Sequence, residues 1–112
     1  MESLKSYELP QCPVETTVLL IGDRWKILII RELLKGTHRF GDLAKGLPGI
    51  SNKVLTQHLR ALESRELVER EVFAEVPVRV EYSLTTIGWE LQDVIDSLWH
   101  WGEKYQLFAT EV

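Results

Sequence analysis

Residues 50–63 read ISNKVLTQHLRALE, and the way this stretch divides on a helix decides the fold. At 3.6 residues per turn, Val54, Leu55, Leu59 and Leu62 share one side, while Asn52, Lys53, Thr56, Gln57 and Arg60 share the other. The apolar side belongs on a core. The polar side is not the usual solvated mixture of Glu and Lys: it carries amides, a hydroxyl and two cations, and its one acid, Glu63, stands at the far end. Major-groove edges suit these groups, since Asn and Gln can bond adenine, Arg can bond guanine, and Thr can touch a thymine methyl. Ser and Lys suit phosphate oxygens. The helix start adds free N–H groups at Ser51 and Asn52 and the positive dipole end, which favour a phosphate. Ser51, Asn52, Lys53, Thr56, Gln57 and Arg60 are therefore candidate DNA contacts. His58 projects toward the apolar side and reads as a packed histidine.

Just upstream, FGDLAKGL predicts a short helix and LPGIS a turn, with Pro48-Gly49 as the breaker and Ser51 as the cap. Short helix, tight turn and longer amphipathic helix make a helix-turn-helix over about 40–65. Arg39, just before it, is a further candidate phosphate contact, as is Lys45, though either also fits a plain solvated charge. Downstream, LVEREVF and VRVEYSL alternate β-branched and aromatic residues with charges, which predicts two strands and a hairpin over 67–84. Arg79 sits near its tip, where an arginine could enter a narrow minor groove. Five acids on the same hairpin (66, 69, 71, 75, 81) weigh against that contact.

Upstream again, DRWKILIIRELLKG is apolar nearly all round, which places this helix inside, with Asp23 as its cap and Gly36 at its end. THRF fits a brief strand. CPVETTVLLIG predicts a first helix over about 12–22, with Pro13 in its first turn, Cys12 as its cap residue and Glu15 where a capping box has its acid. Residues to about Gln11 read as a tail. The last element, TTIGWELQDVIDSLWHWGEKYQLF, predicts one long helix to residue 108. Its stripe of Ile87, Leu91, Val94, Ile95, Leu98, Gly102 and Tyr105, widened by Trp99, Trp101 and Phe108, exceeds what one small core covers. A homodimer joined through this helix and the first one is the expectation, the alternative being a helix that breaks near Gly88 or Gly102 and folds back.

Composition bounds the rest. The 112 residues are 45% hydrophobic, which predicts a single domain over 1–112, mainly α with a small β-hairpin. The net charge of −4 hides an asymmetry: residues 24–65 hold nine Lys/Arg and three acids, a balance of +6, while the flanking segments are all acidic. That asymmetry fits a nucleic-acid surface. No stretch is long and apolar enough to span a bilayer, and the start carries no run of signal-peptide length, so a cytoplasmic setting is expected, with no membrane partner. The one cysteine, Cys12, permits no internal disulfide. A thiol at a helix start gains from the dipole and loses from Glu15, so a reactive and an ordinary Cys12 both stay open. The histidines at 38, 58 and 100 are scattered and no phosphate loop or nucleophile–base pair stands out. Neither enzyme activity nor a cofactor or metal is expected.

The stretches CPVETTVLLIGDRWKILIIREL, GTHRFGDL, LPGISNKVLTQHLRALE, LVER and VPVRVEYSLTTIGWEL together resemble the HxlR family of transcriptional regulators, within the winged-helix group related to MarR proteins. The resemblance covers residues 12 to about 101. It implies a dimeric winged helix-turn-helix repressor or activator that binds an inverted-repeat operator in double-stranded DNA. Its recognition helix would be 51–64, its wing 67–84, and its dimerisation helices about 12–22 and 86–108. It also implies a sensor cysteine near the first helix, here Cys12, and a small electrophile as a candidate effector. A dimer-seam pocket near Trp25, Trp99 or Trp101 would suit an aromatic one, although tryptophans so spaced also serve as plain core. The chain departs from the family pattern at Asp23-Arg24, where Gly-Lys is frequent, at Val76-Pro77-Val78, where Val-Pro-Pro is frequent, and at Glu66, where a Gly usually ends the recognition helix. Glu in a left-handed cap is costly, which predicts a strained helix end. The competing expectation is a winged-helix protein–protein module that binds no DNA.

Overall fold

A computed structural model describes residues 8–111; the first seven residues of the expected tail and Val112 lie outside the described residues. The elements run α1 (Pro13–Ile21), α2 (Arg24–Leu33), β1 (His38–Arg39), α3 (Phe40–Gly46), α4 (Asn52–Ser64), β2 (Val68–Phe73), β3 (Arg79–Leu84), α5 (Thr86–Trp89) and α6 (Gln92–Thr110). The strands form one antiparallel sheet in the order β1-β3-β2. The fold is the expected winged helix: α3 and α4 are the helix-turn-helix and β2–β3 the wing.

Each helix starts where its chemistry allows. Asp23 accepts hydrogen bonds from the N–H groups of Trp25 (2.8 Å) and Lys26 (3.3 Å), and so caps α2. Ser51 accepts from the Val54 N–H at 3.1 Å and caps α4. Cys12 occupies the cap position of α1 but its thiol makes no capping bond, so the expected capping box is not formed there. The Thr16 hydroxyl instead donates to the Pro10 carbonyl.

The core is built from one side of each helix. Ile29, Ile30 and Leu33 of α2, Leu43 of α3, and Leu55, Leu59 and Leu62 of α4 are fully buried, closed from below by Val68, Tyr82 and Leu84 of the sheet. Burying such an aliphatic side chain stabilises by ~1.5–3 kcal/mol. One carboxylate joins them: Glu32 is only 4% exposed. Burial pushes its pKa up, but Lys35 and Arg31, each 3.0 Å from Oε2, more than offset this and hold it below the usual range. Arg31 also donates to the Gly46 carbonyl at 3.4 Å, tying the end of α3 to α2.

Two chain reversals set the frame. Gly36, just past the end of α2 and its cap residue Leu34, turns the chain at φ 133°, a conformation that suits glycine. Glu66 follows α4 at φ 60°, where the family pattern has glycine, so the strained helix end expected from the sequence is present. The Glu66 carbonyl accepts from the Thr85 hydroxyl at 2.6 Å, and Thr85 also caps α5. Gly88 of α5 lies against the Leu67 carbonyl, where a Cβ would have no room.

The expected single C-terminal helix has a one-turn lead-in. The joining residues Glu90 and Leu91 both keep right-handed helical dihedrals, so α5 leads into α6 without a reversal, and Gly88 seats that first turn against the Leu67 carbonyl. Leu91, Val94 and Ile95 pack on the core. Beyond them α6 leaves it: Leu98, Trp99, Trp101, Tyr105, Leu107 and Phe108 are all exposed. The radius of gyration, 15.7 Å, accordingly exceeds the roughly 13 Å of a compact chain of this length.

Candidate nucleic-acid interface

The core claims one side of α4 and leaves the other open. Asn52, Lys53, Gln57 and Arg60 are exposed, with Thr56 half-buried beside them. Lys53 and Arg60 make no ion pair within the described residues. Two unpaired cations and two free amides thus share one convex ridge with the N-terminal end of a 13-residue helix. Ser51 stands at that end; its oxygen is occupied as the cap, and its proton remains free to donate.

His58 points the other way, as the sequence suggested. Its side chain is 17% exposed and Nε2 lies 3.4 Å from Asp23 Oδ1, so α4 rests on the cap of α2. Desolvation, aided by the charge of Lys26, lowers the His58 pKa, with Asp23 pulling in the opposite sense. For Asp23, slight burial acts upward and is outweighed by the Trp25 and Lys26 N–H groups, with His58 adding a pull, so its pKa falls.

The sheet sorts the remaining candidates by strand alternation. Directly opposed residues share a face, and the register opposes Val68 to Leu84 and Arg70 to Tyr82. These form the inner face, toward α4. Glu69 and Glu71 oppose Ser83 and Glu81 on the outer face, where Arg39 also stands opposite Glu81. The acids of the two strands are therefore turned away from α4. Arg39 is exposed but is not gathered with the α4 ridge. Arg79 is also on the outer face, and it is not a free wing-tip cation: it pairs with Glu75 at 2.8 Å and Glu81 at 3.0 Å. Its guanidinium lies 3.9 Å from the Phe73 ring centroid, and its Nε is buried without a partner among the described residues. Arg79, the candidate minor-groove contact, is thus held by two carboxylates on the outer face of the wing.

Between α4 and the inner face of the wing runs a cleft of about 420 Å³ lined by Phe40, Thr56, Arg60, Glu63, Arg70 and Tyr82, among others. Arg70 was missed in the sequence, where it is one basic residue among acids. Only the strand register reveals that it faces α4.

Of the tryptophans, Trp25 packs against the core with Arg24 stacked 4.6 Å over its ring. Trp99 lines an open groove of about 640 Å³ between α2 and α6, with Arg31, Lys35 and Asp96 on its rim. The exposed end of α6 carries a ladder of rings, Trp101 on Tyr105 at 5.4 Å and Tyr105 on Phe108 at 5.7 Å. On α1, Val14, Val18 and Leu19 are exposed, and Cys12 stands exposed at its start. Among the described residues no group of acids, histidines and cysteine could hold a metal, and no helix is long and apolar enough to cross a membrane.

The family model described as HxlR-like helix-turn-helix matches residues 20–108. An uncharacterized HTH-type transcriptional regulator of Bacillus subtilis, YdeP, is 45% identical over 95 residues, covering 85% of this chain and 74% of that protein. The redox regulator HypR in its reduced form superposes with a TM-score of 0.83 at 36% identity, over 90% of this chain and 100% of that one. Diamide-treated YodB from Bacillus subtilis gives a TM-score of 0.71 at 40% identity, over 85% and 95% of the two chains.

Proposed function

The chain belongs to the HxlR family of helix-turn-helix transcriptional regulators, and from that premise we propose that it binds double-stranded DNA as a homodimer in the cytoplasm, through α4. The observation that carries this reading is the ridge of Asn52, Lys53, Gln57 and Arg60, exposed and free of internal ion pairs on a helix whose other side is fixed in the core. A two-fold dimer would present two such ridges to half-sites about one helical turn apart, in an inverted repeat. The apolar side chains left open on α1 and α6 support the pairing of two copies, since an exposed surface of this kind is costly in a monomer.

Selection of bound duplexes from a random pool, followed by titration at two ionic strengths, tests the reading. Arg60→Ala costs about 1–3 kcal/mol and relaxes preference at one base pair, while Lys53→Ala weakens all sequences alike and flattens the salt dependence. Wild-type affinity and base preference in Arg60→Ala would remove α4 from the interface. Absence of any salt-dependent duplex binding would favour a protein–protein module instead.

A response to oxidants through Cys12 is a second part of the proposal. Its support is an exposed thiol without a capping bond at the start of α1, beside the exposed Val14 and Val18, together with the likeness to proteins described as redox regulators. A quinone would add to the Cys12 thiolate, or diamide, itself reduced to the hydrazine, would join Cys12 in a disulfide to a second thiol from another copy of the chain or a small thiol; either would shift α1 and change the half-site spacing. Operator affinity should change on diamide treatment in the wild type and stay constant in Cys12→Ser. An equal change in both, or none in either, rules this out.

A further inference from the structure

The cleft between α4 and the wing holds more than the α4 residues read above as base contacts. Its lining holds two guanidinium groups, Arg60 and Arg70, with no ion pair within the described residues. It also holds the phenol of Tyr82, which is 8% exposed and makes no hydrogen bond within the described residues, and the unpartnered hydroxyl of Thr56. The Tyr82 hydroxyl is not sealed in, since among the described residues Arg79 Nε is the one buried side-chain polar atom without a partner, so the phenol is free to take a partner from solvent or a ligand. Here the open side of the cleft is where one would come from.

We propose that this cleft is an oxyanion seat, and that its occupant is a backbone phosphate of bound DNA. The inference rests on the reading of α4 as a DNA-contacting helix and adds Arg70 and Tyr82 to the contacting set. A duplex separates its major and minor grooves by one sugar–phosphate strand. With α4 in the major groove and the wing beside it, that strand passes between them, over this cleft. Arg70 stands on the inner face of β2 opposite Tyr82, so a guanidinium fork and a phenol donor converge on one phosphodiester. Strand alternation turns Glu69, Glu71 and Glu81 to the other face, which leaves Glu63 as the one acid lining the seat.

The test uses the full chain and a mixed-sequence duplex, because a phosphate contact is indifferent to sequence. Binding is measured across a salt series for the wild type, Arg70→Gln, Arg70→Lys, Tyr82→Phe, Glu63→Gln and Lys53→Ala, each checked for folding by its thermal melt. Arg70→Gln should lower the slope of log affinity against log salt by about 0.9, the value of one phosphate contact. Arg70→Lys should keep the slope, Tyr82→Phe should weaken binding severalfold at unchanged slope, and Glu63→Gln should strengthen it. A wild-type slope in Arg70→Gln beside a lowered slope in Lys53→Ala overturns the seat and leaves α4 standing. No duplex binding by the wild type overturns the reading of α4, and the seat with it. In a parallel arm, inorganic phosphate is compared with chloride at matched ionic strength. Stabilisation that depends on Arg70, with a duplex slope unaffected by Arg70→Gln, assigns the cleft to a free anion and refutes the DNA phosphate.

Discussion

Replacing Trp101 with glutamate is the sharpest probe of the apolar end of α6. Trp101 is 65% exposed, and its ring contact is the stack on Tyr105, one helical turn along. An aromatic side chain presents roughly 200 Å², so about 130 Å² of it is open to water in a single copy. At ~25 cal/mol per Å², covering that area is worth at most about 3 kcal/mol. A two-fold interface uses each residue twice, which raises the ceiling to about 6 kcal/mol, or roughly four decades in dimer dissociation constant. Partial coverage and repacking reduce this, and an increase of about a hundredfold or more is expected once a carboxylate stands in the seam. Sedimentation equilibrium across a concentration series measures the constant directly. The thermal melt of the dissociated chain should change little, because the ring is outside the core. A dissociation constant within about threefold of the wild type would show that this end of α6 takes no part in pairing, and would return the exposed apolar ladder to being unexplained.

Glu66→Gly relieves a left-handed residue whose backbone bonds, including the carbonyl accepting from Thr85, do not depend on its side chain. A gain of about 1 kcal/mol, some 4 °C in melting temperature, is expected, and a lower melting temperature would refute the strain argument. His58, whose folded pKa is depressed, contributes stability that is present above the ordinary histidine value of 6.5 and is lost as pH falls through the lowered folded one. Urea midpoints should therefore drop between pH 7.5 and 5.5 in the wild type more than in His58→Gln; parallel curves would count against it.

The sequence carried most of the architecture because the informative patterns are local. Seven apolar residues around α2, the amphipathic split of α4 and the Pro48-Gly49 break each depend on neighbours a few positions apart. The cap at Asp23, the left-handed Glu66 and the inward His58 follow from the same local rules. What escaped depends on distant partners. Alternation gave β2 two faces but not which one meets α4, so Arg70 passed unnoticed, and which of the hairpin acids pair with Arg79 needed the folded strands. Burial of Glu32 needed Gly46, which leaves room for its carboxylate where any side chain would collide.

One long-range hydrogen bond ties α1 to the base of α4. Arg65, at the C-terminal end of α4, donates through Nη1 to the Leu20 carbonyl on α1 at 3.1 Å. Such a bond is gone by about 3.6 Å, so the linkage has roughly half an ångström of slack. Tilting α1 by more than that either drags the base of α4 along or snaps the tether and frees it. If α4 contacts DNA as proposed, a displacement of α1 beyond that slack would therefore be felt at the base of the contacting helix, by movement or by loss of the tie.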